Sequence, residues 1–329
     1  MTGPFRFTSP EPPESATGTT AAVYQQVLTD FGVPHPPTFA VLSASPELLS
    51  GFWALMREAL LSGAAPRTDK ELVAAGTSLT NGCHFCVNAH LFLLHAGGEP
   101  TLADHIGEGR PLQNPGHAQL LSWGRDIGTE QPFPAAHAQE YIGTALAFHF
   151  MNRIADTLLA RPPLDSADRR ARLLETALGQ RITATVRRQL TPGESLLLLR
   201  TEGDAPSWAT PGSAVAIAYA GLREAATMGA GLLSDDDVRY VRKTVDAWDG
   251  LGHLSPDDPR LPLREDRPGA RIALLAALAP HHLTEEDVQM WKVPPYTDHC
   301  LLHLVAYGAM AATERQAARL PAPAKPEPA

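Results

Sequence analysis

Apolar positions recur every three to four residues along most of the chain, and strict alternation is scarce. In SPELLSGFWALMREALL, Leu48, Leu49, Phe52, Trp53, Leu55, Met56 and Leu60 fall on one broad stripe. Ser45-Pro46 stands ahead of it as an N-cap with proline at the first helical position. TDKELVAAGTSLT opens on Thr68 and carries Glu71 three residues later, the spacing of a capping box. AQEYIGTALAFHFMNRIADTLL and ARIALLAALA continue the helical pattern, whereas SLLLLR (195–200) reads equally as a short strand or a buried turn. These segments predict an all-α protein. Residues 1–18 and 320–329 are rich in Pro, Ser, Thr, Gly or Ala, and predict unordered tails.

The pattern is repeated in outline. SDDDVRYVRKTVDAWDG (234–250) resembles TDKELVAAGTSLTNGCH: a hydroxyl cap, an acid three residues on, an apolar-faced helix, then glycine. ARIALLAALAPHHLTEEDVQMW lies on HAQLLSWGRDIG and the segment after it, and TDHCLLHLVAYGAMAATER on ALAFHFMNRIADTLL. Two tandem units are therefore expected, at 19–160 and 207–319, with 161–206 as a bridge marked by RPPLD, LTPGES and EGDAPS. In that alignment Asp237 takes the place of Glu71 and Asp249 that of Cys83. The second unit is thus expected to lack the chemistry of the first.

A net charge of −9 makes phosphate backbones and anionic membranes poor partners, so nucleic acid is not expected. No apolar run approaches the roughly eighteen residues of a membrane span. The N-terminus lacks the basic start and apolar stretch of a secretory signal. A cytoplasmic location is the expectation, and there a Cys-x-x-Cys pair is more often catalytic or metal-binding than structural. No G-x-G-x-x-G segment follows a strand, so no nucleotide cofactor is expected.

The chain has three cysteines, two of them in TNGCHFCVNAH (80–90). If Asn81-Gly82 turns a helical hairpin, Cys83, Cys86 and His90 lie on one face of the second helix. Glu71 and His90 then stand roughly 14 Å from the turn on facing helices, at about 1.5 Å per residue. A helix N-terminus and an imidazole both favour a thiolate, and a carboxylate behind the ring orients it as a base. Two thiols three residues apart can also close a disulfide once one is oxidised. Zinc is the competing reading, but Cys83, Cys86 and one histidine supply three ligands where a structural site uses four. Cys300 reads as a small buried hydrophobe, His149 as a structural histidine at a helix end, and His281-His282 as a loop pair. Trp53, Phe85, Phe92 and Trp123 read as core, some of them walling an apolar pocket.

Glu71, Cys83-x-x-Cys86 and His90, as E-x11-C-x2-C-x3-H with Asn-Gly ahead of the first cysteine, resemble the signature of the AhpD-like alkylhydroperoxidases. These belong to the carboxymuconolactone decarboxylase family. The likeness spans about residues 22–160, while the second half is similar only in helical outline. It implies an AhpD-like helical bundle, a homo-oligomer, and thiol-dependent reduction of organic hydroperoxides as an antioxidant activity. Cys86 would attack the peroxide, Cys83 would donate a proton and resolve, and Glu71 with His90 would relay protons. No cofactor would be bound, and a lipoyl- or thioredoxin-like dithiol partner would recycle the disulfide. The family's decarboxylases lack the cysteine pair. Some of its peroxidases carry a histidine just before the second cysteine; here Phe85 holds that place and His84 lies one residue earlier. The alternative is a redox-responsive switch or scaffold whose disulfide alters an interface without rapid turnover.

Overall fold

The computed structural model describes residues 4–160, 167–200 and 203–321. Among these every regular element is helical, and no strand forms beyond two isolated bridges, Phe5 with Leu159 and Ser62 with Leu190. The first half holds α1 (Gly18–Gln26), α2 (Pro37–Ala40), α3 (Pro46–Met56), α4 (Arg67–Thr80), α5 (His84–Gly97), α6 (Pro100–Gly107), α7 (Pro115–Arg125) and α8 (Ala138–Leu158). Ser45 caps α3 as expected, its side chain accepting from the Leu48 amide at 3.3 Å. From Leu48 onward α3 is buried on all sides, because α1 packs on one flank and the second half of the chain on the other. The capping box foreseen at Thr68 is not made. Helix α4 starts at Arg67 behind Pro66 with no side-chain cap, and Glu71 turns inward.

The second half comprises α11 (Ala214–Thr227), α12 (Asp235–Asp246), α13 (Pro268–Leu278), α14 (Glu285–Trp291) and α15 (Asp298–Ala317), after α9 (Ala167–Leu174) and α10 (Ala177–Val186). The repeat is visible in the packing. Helix α3 lies against its counterpart α11, and α8 against its counterpart α15, the like-on-like arrangement of an isologous pair. Close approach requires a glycine there: a Cβ on Gly51 would stand 2.8 Å from the Leu222 Cα. One apolar core runs from Val23 to Ala312 through both halves. Between α12 and α13, where the first half inserts α5 and α6, residues 247–267 form no helix. The second unit has therefore lost the cysteine-bearing helix as well as the cysteines. Asp237 stays in the first turn of α12, where it pairs with Arg267. Asp249 accepts from the Leu251 amide.

One expectation about the connecting segments needs correction. The N-terminal stretch is not loose from residue 4 onward: the Arg6 amide donates to the Leu158 carbonyl at 2.7 Å and its guanidinium to the Leu283 carbonyl at 2.8 Å. Phe5 and Phe7 pack on the core, and that apolar contact offsets the entropy of ordering a Pro-rich strand. Within the segment that joins the halves, α10 packs on α5, and residues 191–195 are pinned to a buried ion cluster. Arg57, fully buried, donates to Asp30 (2.7 Å), Glu58 (3.0 Å), Glu194 (2.5 Å) and the Thr191 carbonyl (3.0 Å). Glu58 in turn accepts from the Gly193 amide at 2.7 Å and the Ser195 hydroxyl at 2.6 Å. The open reading of SLLLLR resolves to a single 3-10 turn at Leu196–Leu198. The RPPLD segment and the tail from residue 322 lie outside the described residues, as do residues 1–3.

Removing one partner from a buried ion cluster leaves the others desolvated and unpaired. Arg57→Leu should therefore lower stability by about 3–5 kcal/mol and open residues 191–195 to protease, both measurable by thermal melting and limited proteolysis.

Candidate active site

The turn between α4 and α5 is set by its own residues. Asn81 ends α4, and Gly82 takes φ +65°, a left-handed conformation that costs glycine little. Cys83 becomes the N-cap of α5, its amide bonded to the Ser78 carbonyl at 3.0 Å. Helix α8 holds the turn from behind. His149 Nδ1 meets Asn81 Nδ2 at 3.2 Å, and the Ser78 hydroxyl donates to Asn152 Oδ1 at 3.2 Å. Burial, helped by the Arg153 and Arg319 charges, holds His149 well below the ordinary histidine range, so it serves as a neutral structural bond at a helix end.

Along the face of α5 that looks into the bundle, Cys83 Sγ lies 2.9 Å from Cys86 Sγ. Cys83 is fully enclosed, and Cys86 is 2% exposed. Burial pushes the Cys83 thiol well up, and its hydrogen bond to Cys86 adds to that, so it remains a protonated donor. One turn further on, His90 Nδ1 meets Glu71 Oε2 at 2.6 Å across the helix pair. The other Glu71 oxygen, Oε1, accepts from Arg67 Nε at 2.7 Å, with Nη2 also 2.7 Å away as an ion-pair contact. Burial alone would raise the Glu71 pKa, but the Arg67 charge and the His90 hydrogen bond together hold it below the usual carboxylate value. An ionised carboxylate only accepts, so Nδ1 of a neutral His90 must be the donor, leaving Nε2 as the acceptor of the ring. Nε2 is buried and has no hydrogen-bond partner. The edge-on Phe148 ring, 4.2 Å between centroids, fixes the imidazole plane.

Cys86 and His90 both line a cavity of about 380 Å³. Its walls are almost wholly apolar: Phe39, Phe52 and Met56 from the first helices, Phe85 and Phe92 from α5, Phe148 and Met151 from α8. Leu173 of α9 with Leu178 and Ile182 of α10 close the remaining side. Of the aromatic residues marked in the sequence, Phe85 and Phe92 line the cavity, while Trp53 and Trp123 are buried in the core. His84 is exposed and points to a small separate cleft shared with His281 and Asp156. The His281 Nε2 to Asp156 Oδ2 distance is 3.6 Å, so His281 is more than the loop residue it was expected to be. Cys300 is half-buried beside Thr297, less enclosed than expected. Among the described residues no three His, Cys, Asp or Glu side chains converge as a metal site would need.

Residues 46–101 match the family model described as Carboxymuconolactone decarboxylase family. The chain is also 34% identical over 320 residues to a protein of Mycobacterium tuberculosis (strain ATCC 25618 / H37Rv) named Alkyl hydroperoxide reductase Rv2159c. That match covers 93% of this chain and 92% of the other. The chain belongs to the carboxymuconolactone decarboxylase family. No solved structure matches it. Within this AhpD-like family member, the matched segment runs from the start of α3 into α6 and so carries Glu71, Cys83, Cys86 and His90. Phe148, α9 and α10 lie outside it, and these complete the cavity. Arg67 lies inside it, yet the sequence reading passed it over. Its signal was an Arg–Glu pair at i,i+4.

Acid should act on this site in two stages. His149 has a folded pKa well below its unfolded value of about 6.5, so the unfolded chain binds more protons as pH falls below 6.5. Stability should drop there by about 1.4 kcal/mol per pH unit. Glu71, with a depressed folded pKa, contributes stability above about pH 4.3 that is lost as pH falls further. Burial also pushes His253 down to about 3 and His303 down to about 4, so urea unfolding between pH 8 and 4 should show the first stage in the native chain and a slope shallower by about 1.4 kcal/mol per pH unit in His149→Gln.

Proposed function

We propose that this protein is a thiol-dependent hydroperoxide reductase in which Glu71, Cys83, Cys86 and His90 form the catalytic set. One observation carries the reading: a close pair of sulfurs and a carboxylate-oriented imidazole share an apolar cavity of organic-substrate size. The name of the mycobacterial relative supports it. His90 Nε2 takes the proton of Cys86, and the thiolate attacks the terminal oxygen of ROOH. The O–O bond breaks, Cys86 becomes a sulfenic acid, and the leaving alkoxide recovers the proton from the imidazolium to depart as ROH. Glu71 holds the ring in the needed tautomer and stabilises its cation, while Arg67 keeps Glu71 ionised. Cys83 then attacks the Cys86 sulfur, the S–S bond forms, and the hydroxyl leaves as water with the Cys83 proton. An external dithiol of lipoyl or thioredoxin type reduces the disulfide by two exchanges and is itself oxidised. The raised pKa of Cys83 suits a group that stays protonated until the sulfenic acid forms.

The test is a peroxide-consumption assay with cumene hydroperoxide and dihydrolipoamide. The native chain should turn over many times, Cys86→Ser not at all, and His90→Ala roughly 10²–10⁴-fold more slowly. Cys83→Ser should stop after one equivalent and leave a sulfenic acid that dimedone traps. A single stoichiometric oxidation in the native chain would instead make the pair a redox switch.

A further inference from the structure

Of the two sulfurs only that of Cys86 belongs to the cavity lining, and Cys83 is fully enclosed. A reductant of the pair therefore meets Cys86 in the cavity, one side of which is closed by α9 and α10 through Leu173, Leu178 and Ile182. The two helices pack on each other and both lie on α5, which sets their outer faces side by side. Their charge is opposite to that of the chain as a whole. Between residues 167 and 188 stand Arg169, Arg170, Arg172, Arg181, Arg187 and Arg188, with Asp168 and Glu175 as the only acids, in a protein of net charge −9. Arg170 turns to Asp104 on α6 at 2.7 Å, and Arg188 donates to the Thr29 carbonyl at 2.8 Å. Arg172, Arg181 and Arg187 are exposed, and among the described residues no carboxylate pairs with any of them. Leu173, next to Arg172, is 38% exposed as well. Every cation of this stretch is arginine and none is lysine, the composition of protein interfaces, where arginine is enriched and lysine depleted.

We propose that the outer face of α9 and α10 is the docking surface for an acidic protein that carries a dithiol and recycles the Cys83–Cys86 disulfide. The inference rests on the reading of that pair as a redox centre. Carboxylates of the partner meet Arg172, Arg181 and Arg187, whose planar guanidinium groups bind them through paired hydrogen bonds. The local positive field on an otherwise acidic protein steers such a partner to this face rather than another. One partner thiolate attacks the Cys86 sulfur, the S–S bond breaks, and Cys83 leaves and takes up a proton. The second partner sulfur attacks the mixed disulfide, closing the partner's own disulfide and releasing Cys86. Two electrons pass to the protein, and the two thiol protons end on Cys83 and Cys86. A nucleic acid brings charge to this face but no thiol to Cys86, and the acidic remainder of the chain repels its backbone.

Two synthetic peptides test the surface without hydroperoxide, each with Cys-Gly-Pro-Cys between tracts of glutamate in one and of glutamine in the other. The full-length protein is first oxidised with diamide, and peptide oxidation is followed by chromatography. Each rate is divided by that of the same peptide with hydroxyethyl disulfide, which removes the effect of glutamate on the thiols themselves. At low salt the glutamate peptide should reduce the protein about tenfold faster than the glutamine peptide. The ratio should approach one at about 1 M salt, where charges are screened within about 3 Å. The triple variant Arg172→Gln, Arg181→Gln, Arg187→Gln should lose the preference. Its reduction by dihydrolipoamide should stay within about twofold of native, which shows the site intact. Equal rates in the native chain, or a preference that survives the triple variant, overturn the proposal. So does a salt-sensitive self-association that the variant loses, which gives the face to a second copy, or tighter binding of a short DNA duplex than of the glutamate peptide. The two readings fail separately. A charge preference in a protein that consumes no hydroperoxide supports this surface and removes only the peroxidase. Cumene hydroperoxide turnover without a charge preference removes only this surface, and a pair that diamide leaves reduced removes both.

Discussion

An ionised carboxylate buried in a helical bundle must be met from every side, and Glu71 is that group here. Left alone it would protonate or force the helices apart, because desolvation of a single charge costs several kcal/mol. Arg67, four residues earlier on the same helix, holds one oxygen. His90, on the antiparallel neighbour, holds the other at 2.6 Å. These two bonds fix the register of α4 against α5, and through α5 they fix where the sulfurs stand. The same geometry settles which ring nitrogen of His90 is free to act on the cavity, so a constraint of stability becomes a constraint on chemistry.

The second half of the chain contributes no sulfur and no base, yet the site depends on it. Helices α11 and α15 cover the faces of α3 and α8 that would otherwise be exposed, in the way a second subunit covers a dimer face. With that flank buried, α8 can carry Asn152 and His149 to the back of the cysteine turn. Among the described residues the second half has no counterpart of α5, so the cysteine-bearing helix occurs once in a two-unit frame. The helices between the units then fold back over α5 and finish the cavity wall. Their anchor is the Arg57 and Glu58 cluster, which ties residues 191–195 to the helix carrying Met56.

Legibility in the sequence followed the range of the interactions. Helix periodicity and the Ser45 cap were readable because each depends on residues within one turn, and both are present. The hairpin at Asn81-Gly82 was readable for a related reason: a two-residue turn leaves one register for two antiparallel helices, which brings residues 71 and 90 together. Thr68 misled the reading because Glu71 fits a capping box locally, while a histidine nineteen residues away competes for the same carboxylate and wins. The start of the chain misled it because composition describes a free segment. Phe5 and Phe7 are apolar contacts in a Pro-rich stretch, and Arg6 between them is bonded to the carbonyls of Leu158 and Leu283, far away in the chain.

From sequence alone came the helical class, the doubled outline, and a cluster of two thiols, an imidazole and an acid on facing helices. All of these rest on contacts spaced by helical periodicity or one short turn. Tertiary structure alone decided that Arg67 completes the acid, that Phe148 from α8 braces the ring, and that α9 and α10 close an apolar chamber. Such contacts join residues tens of positions apart, and their partners are chosen by how whole helices pack, which no local spacing encodes.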